Sequence, residues 1–275
     1  MNDRSYSELA DHITPVPDHD PATGAYRFLA EVTENWTQGR ACFGGIQAAF
    51  SLRAMAMVLR EDTPLRSILV SFVAPIAVGE IEIQVRKLRQ GKNVTHMHAE
   101  IIQGNNVCCS MNACFGLARE SSVELEAKSF PEGVKGPEGV VELPYIKGLT
   151  PEFTRQYQMR WGIGSMPFSA QKGNTTGIWV KGKEEGLSDM EHLVMVADIP
   201  PTPALSKMKK PAPASSLTWM LEILKDDFVA RKDDWWFVET TLEHFNHGYG
   251  QQQYTIYAPD KTPVALGRQV VTVFG

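Results

Sequence analysis

The chain has 275 residues, 43% of them hydrophobic, which is enough for one large domain or two mid-sized ones. Its formal net charge is −5 and its Lys and Arg residues are scattered, which argues against a nucleic-acid partner. No apolar run approaches ~18 residues and Met1-Asn2-Asp3-Arg4-Ser5 opens no apolar signal segment, so neither a membrane span nor a secretory leader is expected, and the chain reads as cytoplasmic.

Residues 1–22, with Pro15, Pro17 and Pro21, read as a loose leader. An extended stretch near Tyr26 to Trp36 then leads through Gly44-Gly45 into a helix reaching about Arg60. Its apolar residues Ile46, Ala49, Phe50, Ala54, Met57 and Val58 recur at helical spacing. Ser67 to Phe72, Glu80 to Leu88, Val94 to Ile102 and Val107 to Phe115 follow as strands. Several alternate in polarity, as Ile81, Ile83 and Val85 do against Glu80, Glu82 and Gln84. Gln90-Gly91 and Gly104-Asn105-Asn106 supply tight turns, so an antiparallel meander is expected. Residues 118–150 are rich in Glu, Gly and Pro and read as a linker.

The second half repeats the pattern. An extended stretch near Phe153 to Trp161 precedes a helix over Leu187 to Asp198, stopped by Pro200-Pro201. Leu217 to Leu224, Trp235 to Glu243, Gln251 to Tyr257 and Val264 to Phe274 then read as strands. Asn246-His247-Gly248 and Pro259-Asp260-Lys261 are turns. A helix wrapped by a curved antiparallel sheet is the hotdog arrangement. The expected fold is α+β, a double hotdog with its first unit over 1–117, a linker over 118–150 and its second unit over 151–275.

Cys42, Cys108, Cys109 and Cys114 suit neither a disulfide framework nor a zinc site, and are read as reduced, mostly buried thiols. His96 and His98 share a strand face without a third ligand nearby in sequence, and His244 and His247 sit at a turn. Trp235-Trp236 read as anchors of the second core, while Trp161 and Trp179 are candidates to line a tunnel. Gln251 to Gln253 read as ordinary strand. No P-loop or dinucleotide fingerprint is present.

Several ordered pieces carry a resemblance. The first half has Phe43-Gly44-Gly45, Ser71-Phe72-Val73-Ala74-Pro75, Leu88-Arg89-Gln90-Gly91-Lys92 and Ala113-Cys114-Phe115. The second has Val196-Ala197-Asp198, the strand from Ser215, and Leu266-Gly267-Arg268-Gln269-Val270. Over roughly residues 25 to 275 the chain resembles the type II acyl-CoA thioesterases, double-hotdog enzymes that hydrolyse acyl-CoA to free acid and CoA. In that family an Asp on the second helix, a Thr or Ser on the next strand and a Gln on the last strand hold and activate a water. The resemblance implies these roles for Asp198, Ser216 and Gln269, with Thr218 as an alternative hydroxyl two residues along the same strand. The family usually carries Asp followed by His on this strand, where the chain has Thr218-Trp219.

The chemistry suits those residue types. A carboxylate within reach of the water can act as base, and a hydroxyl and a carboxamide can orient it. Gly44 and Gly45, at a helix start, are candidates to bind substrate, with backbone N–H groups that could polarise the carbonyl. The resemblance implies no cofactor, because CoA is part of the substrate. Arg66, Arg89 and Lys92 are candidates for its phosphates. It also implies a homo-oligomer, a dimer or tetramer. Two other readings stand beside hydrolysis: an enoyl-thioester hydratase or dehydratase, and a non-catalytic acyl-thioester-binding protein. The former typically uses an Asp and a His, and the first helix has no Asp-x4-His pattern. Structural roles are the competing reading for each residue: Asp198 bonded to nearby backbone, Gln269 pinning strands, Gly44-Gly45 allowing close packing.

Overall fold

The computed structural model describes residues 3–17, 24–59 and 63–274. The first half runs α1 (Tyr6–Asp11), β1 (Thr14–Pro15), β2 (Tyr26–Val32), β3 (Thr37–Gln38), β4 (Ala41–Cys42) and α2 (Gly44–Val58). It closes with β5 (Leu65–Phe72), β6 (Gly79–Gln90), β7 (Val94–Gln103) and β8 (Asn106–Gly116). The second half runs β9 (Tyr157–Ile163), β10 (Thr175–Gly182), α3 (Met190–Asp198) and α4 (Pro203–Lys207). It closes with β11 (Ala214–Ile223), β12 (Trp236–Asn246), β13 (Tyr249–Tyr257) and β14 (Pro263–Val273). The predicted helix end at Arg60 and the leader's Pro21 lie outside the described residues.

Twelve strands form one sheet in the order β1-β2-β6-β7-β8-β5-β11-β14-β13-β12-β10-β9, with β3 and β4 in a separate ribbon. Its neighbours are antiparallel throughout. Each half traces one path, β2-β6-β7-β8-β5 and β10-β12-β13-β14-β11. The paths meet where Ser67 to Ser71 of β5 pair with Glu222 to Thr218 of β11. This is the expected pair of tandem hotdogs, joined edge to edge, so that neither β5 nor β11 is left as an open edge.

Helix α2 lies inside the first hotdog against β6, β7 and β8, with α3 packed beside it. It is buried on nearly every side, from Ile46, Ala48 and Ala49 to Phe50, Leu52, Ala54 and Met55. A helix enclosed by a sheet on one side and a partner helix on the other has this all-round apolar character. The two helices are antiparallel. Asp198 at the end of α3 meets the start of α2 at Gly44-Gly45, and Glu191 near the start of α3 pairs with Arg53 at 3.6 Å. At Gly45 a Cβ would stand 3.2 Å from the Met195 Cα and 2.5 Å from the Phe43 ring, so only glycine admits this approach.

Three expectations are corrected. The leader is not loose over its first part. Ser5 and Glu8 form a reciprocal capping box at the start of α1, whose Tyr6, Leu9 and Ala10 are buried. Tyr6 stacks on Phe50 at 5.9 Å and donates to Glu191 at 2.8 Å. Helix α3 begins at Met190 rather than Leu187, because the Asp189 side chain caps it by accepting from the His192 N–H. Lastly, the strand equivalent to β2 is β10, which the sequence reading passed over, whereas Tyr157–Ile163 is an added outer strand.

The reason β10 is hard to read lies in the linker. Phe130, Val134 and Val140 pack over Trp179, Phe237 and Tyr257 on the outer face of the second hotdog. Trp179 Nε1 donates to the Lys135 carbonyl at 2.9 Å and Tyr257 Oη to the Ser129 carbonyl at 3.3 Å. With both faces covered, Thr176 to Val180 are buried in succession and show no polar alternation. Trp179 therefore belongs to the outer cluster and not to an acyl tunnel. Trp161 and Trp236 lie in the main core, and Trp235 packs on the outer cluster.

Candidate active site

Asp198 is the last residue of α3 and brings its carboxyl to the first turn of α2. That turn begins at Phe43, which offers no capping side chain. The Asp198 carboxyl takes the place of a cap by accepting the Gly45 N–H. Unpaired N–H groups and the helix dipole favour a negative charge there. Gly44 is needed at the same spot: a Cβ on it would stand 2.6 Å from Asp198 Oδ2 and 2.9 Å from the Phe72 ring.

The sheet supplies the other groups. Gln269 of β14 is buried and donates from Nε2 to Asp198 Oδ1 at 2.6 Å and to Ser216 Oγ at 3.4 Å. Gln252 of β13 lies directly across from Gln269, and its Nε2 donates to Gln269 Oε1 at 2.8 Å. Trp219 of β11 flanks Gln269 on the other side, donates from Nε1 to Tyr254 Oη and stacks on Phe72 at 6.4 Å. Tyr254 lies over Gly267, whose missing side chain leaves room for the ring.

Burial raises the Asp198 carboxyl from its ordinary 3.8 to about 7, while the hydrogen bonds from Gln269 and Gly45 pull it back down. The residue keeps partial solvent access even though its carboxyl is packed about. It is thus a group close to half-ionised at neutral pH. The Tyr254 hydroxyl is pushed well above its ordinary value, first by burial, so it stays neutral beside Asp198.

Asp198, Ser216, Gln269, Gly44 and Gly45 are therefore assembled in one place. Thr218 is not. An extra residue, Leu217, forms a bulge in β11, so that Ser216 pairs with Val271 while Thr218 pairs with Val270. Residues on either side of a bulge no longer share a face two apart. Ser216 joins Trp219 and Gln269 on the inner face, and Thr218 is exposed on the outer one. The Gly45 N–H faces Asp198.

Gln252, which was read as ordinary strand, and Tyr254, Trp219 and Phe72 were not among the expected site residues. A signal existed for Gln252, since it occupies the same strand phase as buried Tyr254, where an apolar residue is the rule. Arg66, Arg89 and Lys92 stand elsewhere. Arg66 is bonded to the Gly116 carbonyl at 2.8 Å and paired with Asp226 at 3.5 Å. It lies at the opposite end of β5 from Phe72, on the order of 20 Å along the strand. Arg89 and Lys92 are exposed about the β6–β7 turn. The four thiols are free, with Cys42, Cys108 and Cys109 buried, and burial pushes the Cys109 thiol up to about 12. Among the described residues, no three His, Cys, Asp or Glu side chains gather as a metal-ligand set, and no helix is long and apolar enough to cross a membrane.

The fold and this arrangement define a double-hotdog protein with an Asp–Gln–Ser cluster at the junction of its helices. The acyl-CoA thioesterase N-terminal domain matches over residues 32–116 and the acyl-CoA thioesterase C-terminal domain over residues 137–273. The chain belongs to the acyl-CoA thioesterase family. No curated protein sequence matches it. Among solved structures, a conserved hot dog fold protein of unknown function from Alicyclobacillus acidocaldarius is similar at TM-score 0.84 and 22% identity, covering 100% of this chain and 99% of that one. The acyl-CoA thioesterase II TesB2 from Mycobacterium marinum is similar at TM-score 0.74 and 14% identity, covering 98% of each chain. The dehydratase domain of PpsC from Mycobacterium tuberculosis is similar at TM-score 0.58 and 9% identity, covering 95% of this chain and 97% of that one. At these identities the solved structures share the fold.

Proposed function

We propose that the protein hydrolyses an acyl-CoA thioester to the free acid and CoA, with Asp198 as general base. The observation that carries this reading is the Asp198 carboxyl, raised to about 7 and held by Gln269 at 2.6 Å and by the Gly45 N–H. A base with a pKa near the working pH is well matched to taking a proton from water. Ser216, held by Gln269, orients that water. The water oxygen bonds to the thioester carbonyl carbon as its proton passes to Asp198. The carbonyl oxygen becomes an oxyanion beside the first turn of α2, where the Gly44 N–H is the candidate donor. Collapse of this intermediate breaks the C–S bond, and the proton leaves with the CoA thiol.

Dehydration fits less well. It calls for a second acid–base group beside the carboxyl. The groups bonded to Asp198 are an amide and a backbone N–H, and neither exchanges a proton in such a step.

The test is release of free thiol from short, long and aromatic acyl-CoAs, with wild type beside Asp198→Asn. Turnover that falls at least about a hundredfold in the variant supports the assignment. Equal, low rates in both would remove Asp198 as base and favour a non-catalytic acyl-binding protein.

A further inference from the structure

A glutamine side chain has two faces of opposite character, an NH2 that only donates and a carbonyl oxygen that only accepts. Rotating Gln269 by half a turn would set its carbonyl oxygen against the Asp198 carboxylate and its NH2 against β13. The Gln269 side chain does not by itself select one orientation. Gln252 does so. It is 3% exposed, stands across the strand pair from Gln269, and presents its own NH2 to Gln269 Oε1 at 2.8 Å. Holding this orientation leaves Gln252 Oε1 buried without a partner. Selection for stability alone would favour an apolar side chain here, and departures of that kind mark functional positions.

We propose that Gln252 is a positioning residue, locking the Gln269 amide with its NH2 toward Asp198 and Ser216. It acts through Gln269 and has no contact of its own with the reacting atoms. The inference rests on the hydrolase reading given above. Around Asp198, α2 presents Gly44 and the Gly45 N–H, β5 presents Phe72, and β11 and β14 present Ser216 and Gln269. The titratable group facing it is Tyr254 of β13, kept neutral by burial. With Gln252 gone, Gln269 is free to turn, and a carbonyl oxygen facing Asp198 favours its protonated form. The carboxyl pKa then rises, and the acid limb of kcat/KM moves up with it.

Gln252→Met keeps the length and removes the amide, and Gln252→Leu is a second variant should the first fold poorly. Asp198 would be titrated by carbon NMR of its carboxyl, identified by its loss in Asp198→Asn. Alongside, kcat and KM for an acyl-CoA would be followed from about pH 5.5 to about pH 9. The expected result is an upward shift of both the carboxyl pKa and the acid limb. At pH 7, kcat should fall about tenfold, with KM within about twofold. In a Gln269→Met background the Gln252 change should add nothing further. An unmoved carboxyl pKa, or losses that add in full to those of Gln269→Met, would overturn the proposal and leave Gln252 a packing residue. If wild type releases no thiol from any acyl-CoA, the hydrolase reading fails instead, and the NMR titration still decides the role of Gln252.

Discussion

Gly45 donates its backbone N–H to the side chain of Asp198, a residue of the other hotdog. Helix α2 begins without a capping side chain of its own, so the proposed base of the second unit is also the cap of the first unit's central helix. The proposed chemistry and the junction between halves are thus tied to one carboxyl.

Asp198 should carry a stability penalty at neutral pH. Its folded pKa, about 7, lies above its ordinary 3.8, so between these values the folded state binds the proton that the unfolded state has released. Stability should therefore fall as pH rises from about 4 to about 7, while activity should rise through about 7 as the base ionises. Asp198→Asn carries no such charge. Its stability relative to wild type should increase on going from pH 5 to pH 8, by an amount on the order of 1–3 kcal/mol, read from urea unfolding at both pH values. A constant difference across that range would contradict the raised carboxyl.

Ser216 and Thr218 should separate cleanly. Ser216→Ala removes the hydroxyl that Gln269 reaches, and kcat should fall by about tenfold or more with the fold retained. Thr218→Ala, on the outer face beyond the bulge, should stay within about twofold of wild type. Steady-state kinetics of the two single variants settle which hydroxyl belongs to the site.

The two glycines should differ in what they lose. In Gly44→Ala the new methyl meets Asp198 Oδ2 and the Phe72 ring, side chains that can shift, so activity should fall more than stability. In Gly45→Ala the methyl meets the Phe43 ring and, at 3.2 Å, the Met195 Cα in the backbone of α3. Overpacking a helix–helix contact costs about 1–3 kcal/mol, so the melting temperature of Gly45→Ala should drop well below that of Gly44→Ala.

Tyr6 should prove structural. Burial raises the Glu191 carboxyl, and the bond from Tyr6 opposes that rise. Tyr6→Phe leaves a buried acceptor without its hydroxyl partner, at a cost of about 1–3 kcal/mol. Denaturant unfolding should record that loss, while kcat is unchanged because Glu191 sits at the end of α3 remote from Asp198.

The amino-acid sequence by itself determined the repeated architecture in outline, since alternating strands such as Glu80 to Val85 and the apolar positions of α2 are local patterns set by which side chains are buried. It also marked Asp198, Ser216 and Gln269, through the order of motifs along both halves. Tertiary structure alone decided the rest. Strand β10 lost its alternation because the linker covers its outer face, and burial on both sides erases the period on which strand reading depends. Thr218 left the site because one extra residue in β11 reverses the facing of all that follows, and a bulge exists only in the pairing with β14. Gln252 entered it because side chains meet across strands, at positions fixed by the register of β13 against β14 rather than by separation along the chain.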